Sequence, residues 1–216
     1  MSSLQRDHVI LLHGIWMRGI TMLPLARRLR ADGFSVEAID YPSVVGAWAD
    51  TATRLRQHWC GRVGGTVHVV GHSLGGMLAA QVADEHRDLP AGRLVCLGSP
   101  LNGSAAASRL LRVPGGRWLM GQSAPVLDKG LGRWSGARPL GIIAGSRPLG
   151  LGGLIGALPR PHDGTVSVEE TRLAGADAHC VVETSHTGLL FSPEVAALTT
   201  RFLRQGRFEP SAEGDS

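Results

Sequence analysis

The sequence predicts an α/β fold, a mostly parallel sheet of about six strands with helices on both faces. Two observations carry this. Short β-branched runs alternate with segments whose apolar residues recur at helical spacing, and strand, helix, strand repeated in this way places parallel strands side by side with their crossovers above and below. The length of 216 residues is enough for one substantial core and short for two, so the expected unit is a single domain over residues 1–208.

In chain order, the expected strands are residues 8–12, 35–39, 67–70, 94–97, 140–144 and 178–183. Between them, residues 20–30, 46–59 and 74–86 carry helical patterns, and residues 194–203 do so after the last strand. Two stretches break the rhythm. Residues 101–138 are long for a crossover and form a lid-like insertion, with an apolar helix-like piece at 105–111 followed by Trp118, Leu119 and Met120. Residues 146–162, rich in glycine, proline and leucine, are expected to be a flexible loop, and residues 209–216 a frayed tail. For the arginine-bearing stretch 105–120, contact with a membrane surface is conceivable, and a plain covering helix is the preferred reading.

The bulk composition excludes several classes. With 43% hydrophobic and 19% charged residues the chain is too apolar for a disordered one. Its net charge of +4 comes from arginines scattered singly or in pairs, such as Arg27-Arg28, with Lys129 the only lysine. No basic run interleaved with aromatics points to nucleic acid. Cys60, Cys96 and Cys180 lie far apart without a Cys-x-x-Cys pair, which favours buried thiols in a reducing compartment over disulfides or zinc. The apolar run 9–12 is too short for a signal-peptide core, and no stretch reaches transmembrane length, so a cytoplasmic location is expected.

Chemistry concentrates at Gly71-His72-Ser73-Leu74-Gly75, which follows a strand and precedes a helix. This is the context a nucleophile elbow requires: a sharp turn holds the serine in strained geometry, and the flanking glycines leave room where a side chain would push neighbours apart. A serine hydroxyl needs a base to take its proton, and that base needs an acid to orient it. Behind such an elbow the partners follow in the order acid, histidine. Of the later histidines, His86 ends the helix after the elbow and His179 falls within a strand, whereas His186 comes just after the last strand, on the correct edge of the sheet. His162 is the reserve. For the acid, Asp163 alone joins a post-strand loop to a turn signature, Asp163-Gly164-Thr165-Val166, with Glu169 or Glu170 as fallback.

Acyl transfer also needs donors for a developing oxyanion. The backbone N–H of Leu74 supplies one, and the loop after the first strand, His13-Gly14-Ile15-Trp16, supplies the other, assigned to Ile15. Trp16 and Leu101 are expected to wall the substrate pocket, and His13 to hold its loop by bonding backbone.

Taken together, these residues resemble the α/β-hydrolase superfamily, and within it the small bacterial lipase and esterase group. The likeness rests on His13-Gly14, Gly-His-Ser-Leu-Gly-Gly from Gly71 to Gly76, Gly98-Ser99-Pro100 with Gly103-Ser104, Asp163-Gly164 and His186-Thr187-Gly188-Leu189-Leu190. It implies a serine hydrolase acting through an acyl-enzyme without a cofactor or metal, with Ser73, Asp163 and His186 catalytic and a small-molecule acyl ester as substrate. The chain begins almost at the third strand of the full family sheet, and segment 101–138 is shorter than the lids of interfacial lipases. The same machinery would also serve a thioesterase, an amidase or an acyltransferase, and a non-catalytic binding protein on the same fold is the reading from another class.

Overall fold

Short parallel strands cannot pair through hairpins, so each must be carried back by a crossover before it meets its neighbour. In a computed structural model, which describes residues 6–62, 65–149 and 158–209, six strands do this. They are β1 (His8–Leu12), β2 (Ser35–Ile39), β3 (Val67–His72), β4 (Leu94–Leu97), β5 (Leu140–Gly145) and β6 (Ala178–Val182), paired in the order β2-β1-β3-β4-β5-β6 with every ladder parallel. Leu12 lies opposite Gly71 and His72 opposite Leu97, so the loops that leave β1, β3 and β4 gather at one edge. That edge is where open α/β sheets hold their ligands.

The period-2 alternation of the strands divides the core in two. Ile10, Leu12, Val67, Val69, Cys96 and Ile142 face one cluster, which α2 (Trp48–Cys60) and α3 (Leu74–Glu85) cover with Leu55, Trp59, Met77 and Leu78. Val9, Leu11, Val70, Val95 and Ile143 face the other, covered by α1 (Leu23–Ala31) and the last helix, Pro193–Gln205, through Leu25, Leu29, Val195 and Phe202.

Helix boundaries follow local chemistry. The expected helix 20–30 divides into a 3-10 turn, Gly19–Met22, and α1, whose first turn holds Pro24, a residue pre-set for a helix start. The last helix is capped by Ser192, whose hydroxyl accepts the Val195 N–H, and stops at Gly206 in the left-handed conformation. The insertion 101–138 forms three short helices, α4 (Ala105–Leu110), α5 (Gly116–Met120) and α6 (Ala124–Lys129), laid over the first cluster. A further short helix, α7 (Val168–Thr171), precedes β6 and makes Pro193–Gln205 α8. Of the expected loop 146–162, residues 150–157 lie outside the described residues, as does nearly all of the expected tail, 210–216.

The cysteines only partly match expectation. All three are free thiols; Cys96 is buried and Cys180 half-buried, both pushed up to about 12 by burial, but Cys60 at the end of α2 is exposed. Among the described residues no helix is long and apolar enough to cross a membrane.

The central strand β3 buries two histidines, His68 and His72. Desolvation holds His68 down at about 4 and His72 at about 3, against 6.5 for the free side chain. Above pH 6.5 both are neutral folded or unfolded and cost nothing. As pH falls from 6.5 towards 3 the unfolded chain takes up protons the folded one refuses, so stability is lost on acidification. Urea unfolding followed from pH 8 to pH 4 is expected to show a falling midpoint below about pH 6.5. His68→Asn, which keeps an acceptor for the Arg93 N–H, should make that decline shallower; an unchanged slope would contradict the assignment.

Candidate active site

Ser73 sits between β3 and α3 with φ 53° and ψ −119°, outside the comfortable regions for an L-residue. Neighbouring glycines permit this turn. A Cβ at Gly71 would stand 2.3 Å from Gly76 N, and one at Gly75 would stand 2.5 Å from the His13 carbonyl oxygen. The elbow therefore presses against both its own helix and the end of β1. Only two described non-glycine residues have positive φ, Ser73 and Trp16 at 59°, and both line the same cavity.

Asp163 and His186 meet directly. His186 Nδ1 and Asp163 Oδ2 are 2.7 Å apart, while the backbone N–H of His186 donates to the Asp163 carbonyl at 2.9 Å. The other carboxylate oxygen, Oδ1, accepts the N–H groups of Thr165 and Val166 at 2.9 and 2.8 Å. Asp163 is wholly buried, with its lone pairs occupied by the turn it begins and the ring it faces. Room for the pair comes from two glycines at strand ends: a Cβ at Gly98, where φ is +56°, would lie 3.1 Å from both Asp163 Oδ2 and His186 Nδ1, and one at Gly145 would lie 2.7 Å from Asp163 Cβ.

The alternatives considered from sequence have other duties. His162 Nδ1 accepts the Gly164 N–H and so shapes the turn. Glu170 is half of a capping box with Ser167 at the start of α7 and also takes the Ala105 N–H, while Glu169 forms an exposed ion pair with Arg172.

His72, beside the nucleophile, carries a contact that motif reading passed over. Its Nε2 lies 3.0 Å from the carbonyl oxygen of His186, and the two rings lie 4.6 Å apart. Because a carbonyl only accepts, Nε2 bears the hydrogen and the ring is neutral, with Nδ1 buried and unpartnered. The elbow and the loop of His186 are thereby tied together. The signal lay in the residue before Ser73 being histidine, but its partner is 114 residues away and nothing local predicts it.

The loop after β1 packs onto the elbow, since a Cβ at Gly14 would lie 3.2 Å from Ser73 Cβ. His13 is fully buried; Nδ1 donates to the Gly14 carbonyl at 2.8 Å, Nε2 accepts the Tyr41 N–H, and Tyr41 stacks on the ring while donating its hydroxyl to the His13 carbonyl at 2.6 Å. Trp16 N–H is engaged by Ser43 Oγ, and Trp16 Nε1 donates to the Leu119 carbonyl at 3.0 Å. Among the described residues the backbone N–H groups of Ile15 and Leu74 have no acceptor within the protein.

Above Ser73 is a cavity of about 70 Å³ lined by Ile15, Trp16, Pro100, Ala107, Met120 and Val166, among others. Leu101, expected on its wall, is instead fully buried in the core beneath, and Pro100 takes that place. The Ser73 hydroxyl forms no hydrogen bond to any described residue, His186 included.

The chain matches the alpha/beta hydrolase family over residues 9–205 and belongs to that family. Among solved structures it is similar to the mature lipase BlEst2 of Bacillus licheniformis, at 16% identity and TM-score 0.71 over 94% of this chain and 93% of that one. It is also similar to a pyrethroid hydrolase of Sphingobium faniae JZ-2, at 15% identity and TM-score 0.65 over 93% and 98% of the two chains. Polyneuridine aldehyde esterase aligns at 16% identity and TM-score 0.60 over 93% and 100%. At these identities the likeness is one of fold. No curated protein matches the sequence.

Gly75→Ala offers a direct test of the elbow. The added methyl meets the backbone of Leu12 and His13, which cannot rotate away, and overpacking of this kind costs about 1–3 kcal/mol or more. A midpoint of urea unfolding within error of the parent would show that the turn has slack.

Proposed function

We propose that the protein is a serine hydrolase that cleaves carboxylic esters through an acyl-enzyme, with Ser73 as nucleophile, His186 as base and Asp163 as the acid that orients it. The observation that carries this is the His186–Asp163 contact of 2.7 Å beside a strained serine at a strand-to-helix turn. Asp163 fixes the proton of His186 on Nδ1, which leaves Nε2 as a free acceptor for the serine proton. The Ser73 hydroxyl has to meet that nitrogen for its proton to move, and such contacts commonly close only when substrate is bound.

Attack on the ester carbonyl makes a tetrahedral oxyanion, which the unengaged N–H groups of Ile15 and Leu74 would receive, the second at the N-terminus of α3. Collapse expels the alcohol, protonated by His186. Water then repeats the sequence on the acyl-enzyme, using the same base. The fold needs no cofactor for this reaction. The esterases and lipases among the structural neighbours support the reading through shared fold.

The small apolar cavity favours a short acyl group. Purified protein is expected to turn over a nitrophenyl butyrate at least tenfold faster than the laurate, and equal rates would show that the cavity does not set the choice. Ser73→Ala should abolish both turnover and labelling by a fluorophosphonate, and Asp163→Asn should lower turnover by about 10⁴. Unchanged turnover in Ser73→Ala, or a loss below tenfold in Asp163→Asn, would refute the roles given to these residues.

His72 acts through His186 as a positioning residue. His72→Leu removes the donor to the His186 carbonyl and is expected to cut kcat by about tenfold or more with KM little changed, a split typical of lost alignment. His72→Gln places an amide N–H where Nε2 was and should restore most of the rate. Equal losses in both variants would reduce His72 to a packing role.

A further inference from the structure

The insertion over the site holds six basic residues, Arg109, Arg112, Arg117, Lys129, Arg133 and Arg138, against Asp128 alone, so residues 101–138 carry a net +5 in a chain whose total is +4. The rest of the molecule is therefore slightly acidic. Basic residues occur along the whole chain, but their excess over acidic ones falls within residues 101–138. Within that unit Arg138 is buried against the carbonyls of Leu89 and Pro90, but Arg112 and Arg117 are exposed, and among the described residues neither belongs to an ion pair.

The same rim exposes large apolar side chains. Trp118 is 84% exposed, Val113 51% and Leu119 41%, and across an open groove from α5 lies Val45 at 71%. Single exposed apolar residues need no explanation, but Val45, Trp118 and Leu119 share one groove of about 920 Å³ with Trp16 and Arg117. Sequence periodicity favoured a plain covering helix over residues 105–120. α4 does cover the core with Ala106 and Ala107, yet α5 turns Trp118 outward, and its exposed indole contributes nothing to packing.

We propose that this rim docks the protein onto bilayers that contain anionic lipid. An indole beside an exposed arginine suits the membrane interface, where the ring sits among headgroups and the guanidinium meets phosphate. Charge decides between this and other occupants. A second copy docking by the same face would oppose Arg112 and Arg117 to their own counterparts, and a neutral bilayer would leave both arginines uncompensated. The apolar groups come from a short helix and turns, so insertion is shallow and reversible. Because Trp16 lines both the groove and the cavity above Ser73, docking would turn the mouth of that cavity towards the bilayer.

The test is co-sedimentation of the full chain with vesicles of phosphatidylcholine alone and of phosphatidylcholine mixed with phosphatidylglycerol. Binding is expected only to the mixed vesicles and should vanish near 0.5 M salt, where screening shortens to about 4 Å. Arg112→Gln with Arg117→Gln should weaken it about twenty-five-fold, from about fivefold for each charge removed. Trp118→Ala should weaken it at low salt with its thermal midpoint unchanged. Ser73→Ala should bind as the parent does, which separates this proposal from the hydrolase reading. Equal binding to both vesicles, no binding to either, or binding indifferent to all rim variants would overturn it, as would a concentration-dependent dimer that Trp118→Ala abolishes.

Discussion

A buried carboxylate is costly unless its oxygens are all engaged, and the arrangement around Asp163 meets that requirement in full. Two backbone N–H groups of its own turn hold Oδ1, the imidazole of His186 holds Oδ2, and the Asp163 carbonyl receives the His186 N–H. These bonds unite the turn at Gly164 with the loop after β6, and Gly145 at the end of β5 lies close against Asp163. Moving any one of them would leave a charge unpaired in an apolar surround, so the same contacts that orient the histidine also lock the sheet edge that carries it. His72 extends the unit to β3 by holding the His186 carbonyl, and Gly98 and Gly145 keep side chains out of its way.

Strain is placed beside this rigid unit rather than within it. Ser73 and Trp16 both adopt positive φ, each at a cost of about 1–3 kcal/mol. Ser73 is held because the ladder between β3 and β4 continues into the turn, with its N–H bonded to the Leu97 carbonyl, and because α3 starts immediately after it. Trp16 is held by Ser43 on one side and Leu119 on the other. Backbone geometry at the elbow is thus supported by the sheet, whereas geometry at the facing loop leans on the insertion. The insertion therefore does more than cover the core. It fixes the wall of the cavity, and its own packing is reflected in the shape of that wall.

The parts of the fold legible in the sequence are those whose cause is local. β1, β2 and β4 have the expected limits because short apolar or β-branched runs end at turn residues, and α3 was readable from the elbow that starts it. Asp163 and His186 could be named from strand ends and chain order, while their contact could not, because it depends on how far β5 and β6 run in register. What escaped was non-local or very short. α6 and α7 each span too few residues for periodicity to register, and the latter is set by a capping box whose glutamate had been weighed as a catalytic fallback. Leu101 fell to the core because the chain after β4 dips inward, its N–H turning back to the Ser99 carbonyl, so that Pro100 faces the cavity instead. Cys60 is exposed because it closes α2 on the face away from Leu55 and Trp59.

The distribution of charge joins these levels. The described ion pairs of arginine lie at the surface, and none of their residues lines the cavity above Ser73. The surplus of basic residues is carried by the insertion. Arg117 stands there beside Trp118 on α5, and Arg112 beside Val113 in the turn between α4 and α5. The sheet edge that holds Asp163 and His186 and the covering layer that holds the surplus charge are therefore built from separate stretches of sequence. Trp16 is the contact between them, anchored in the loop after β1 and bonded to α5.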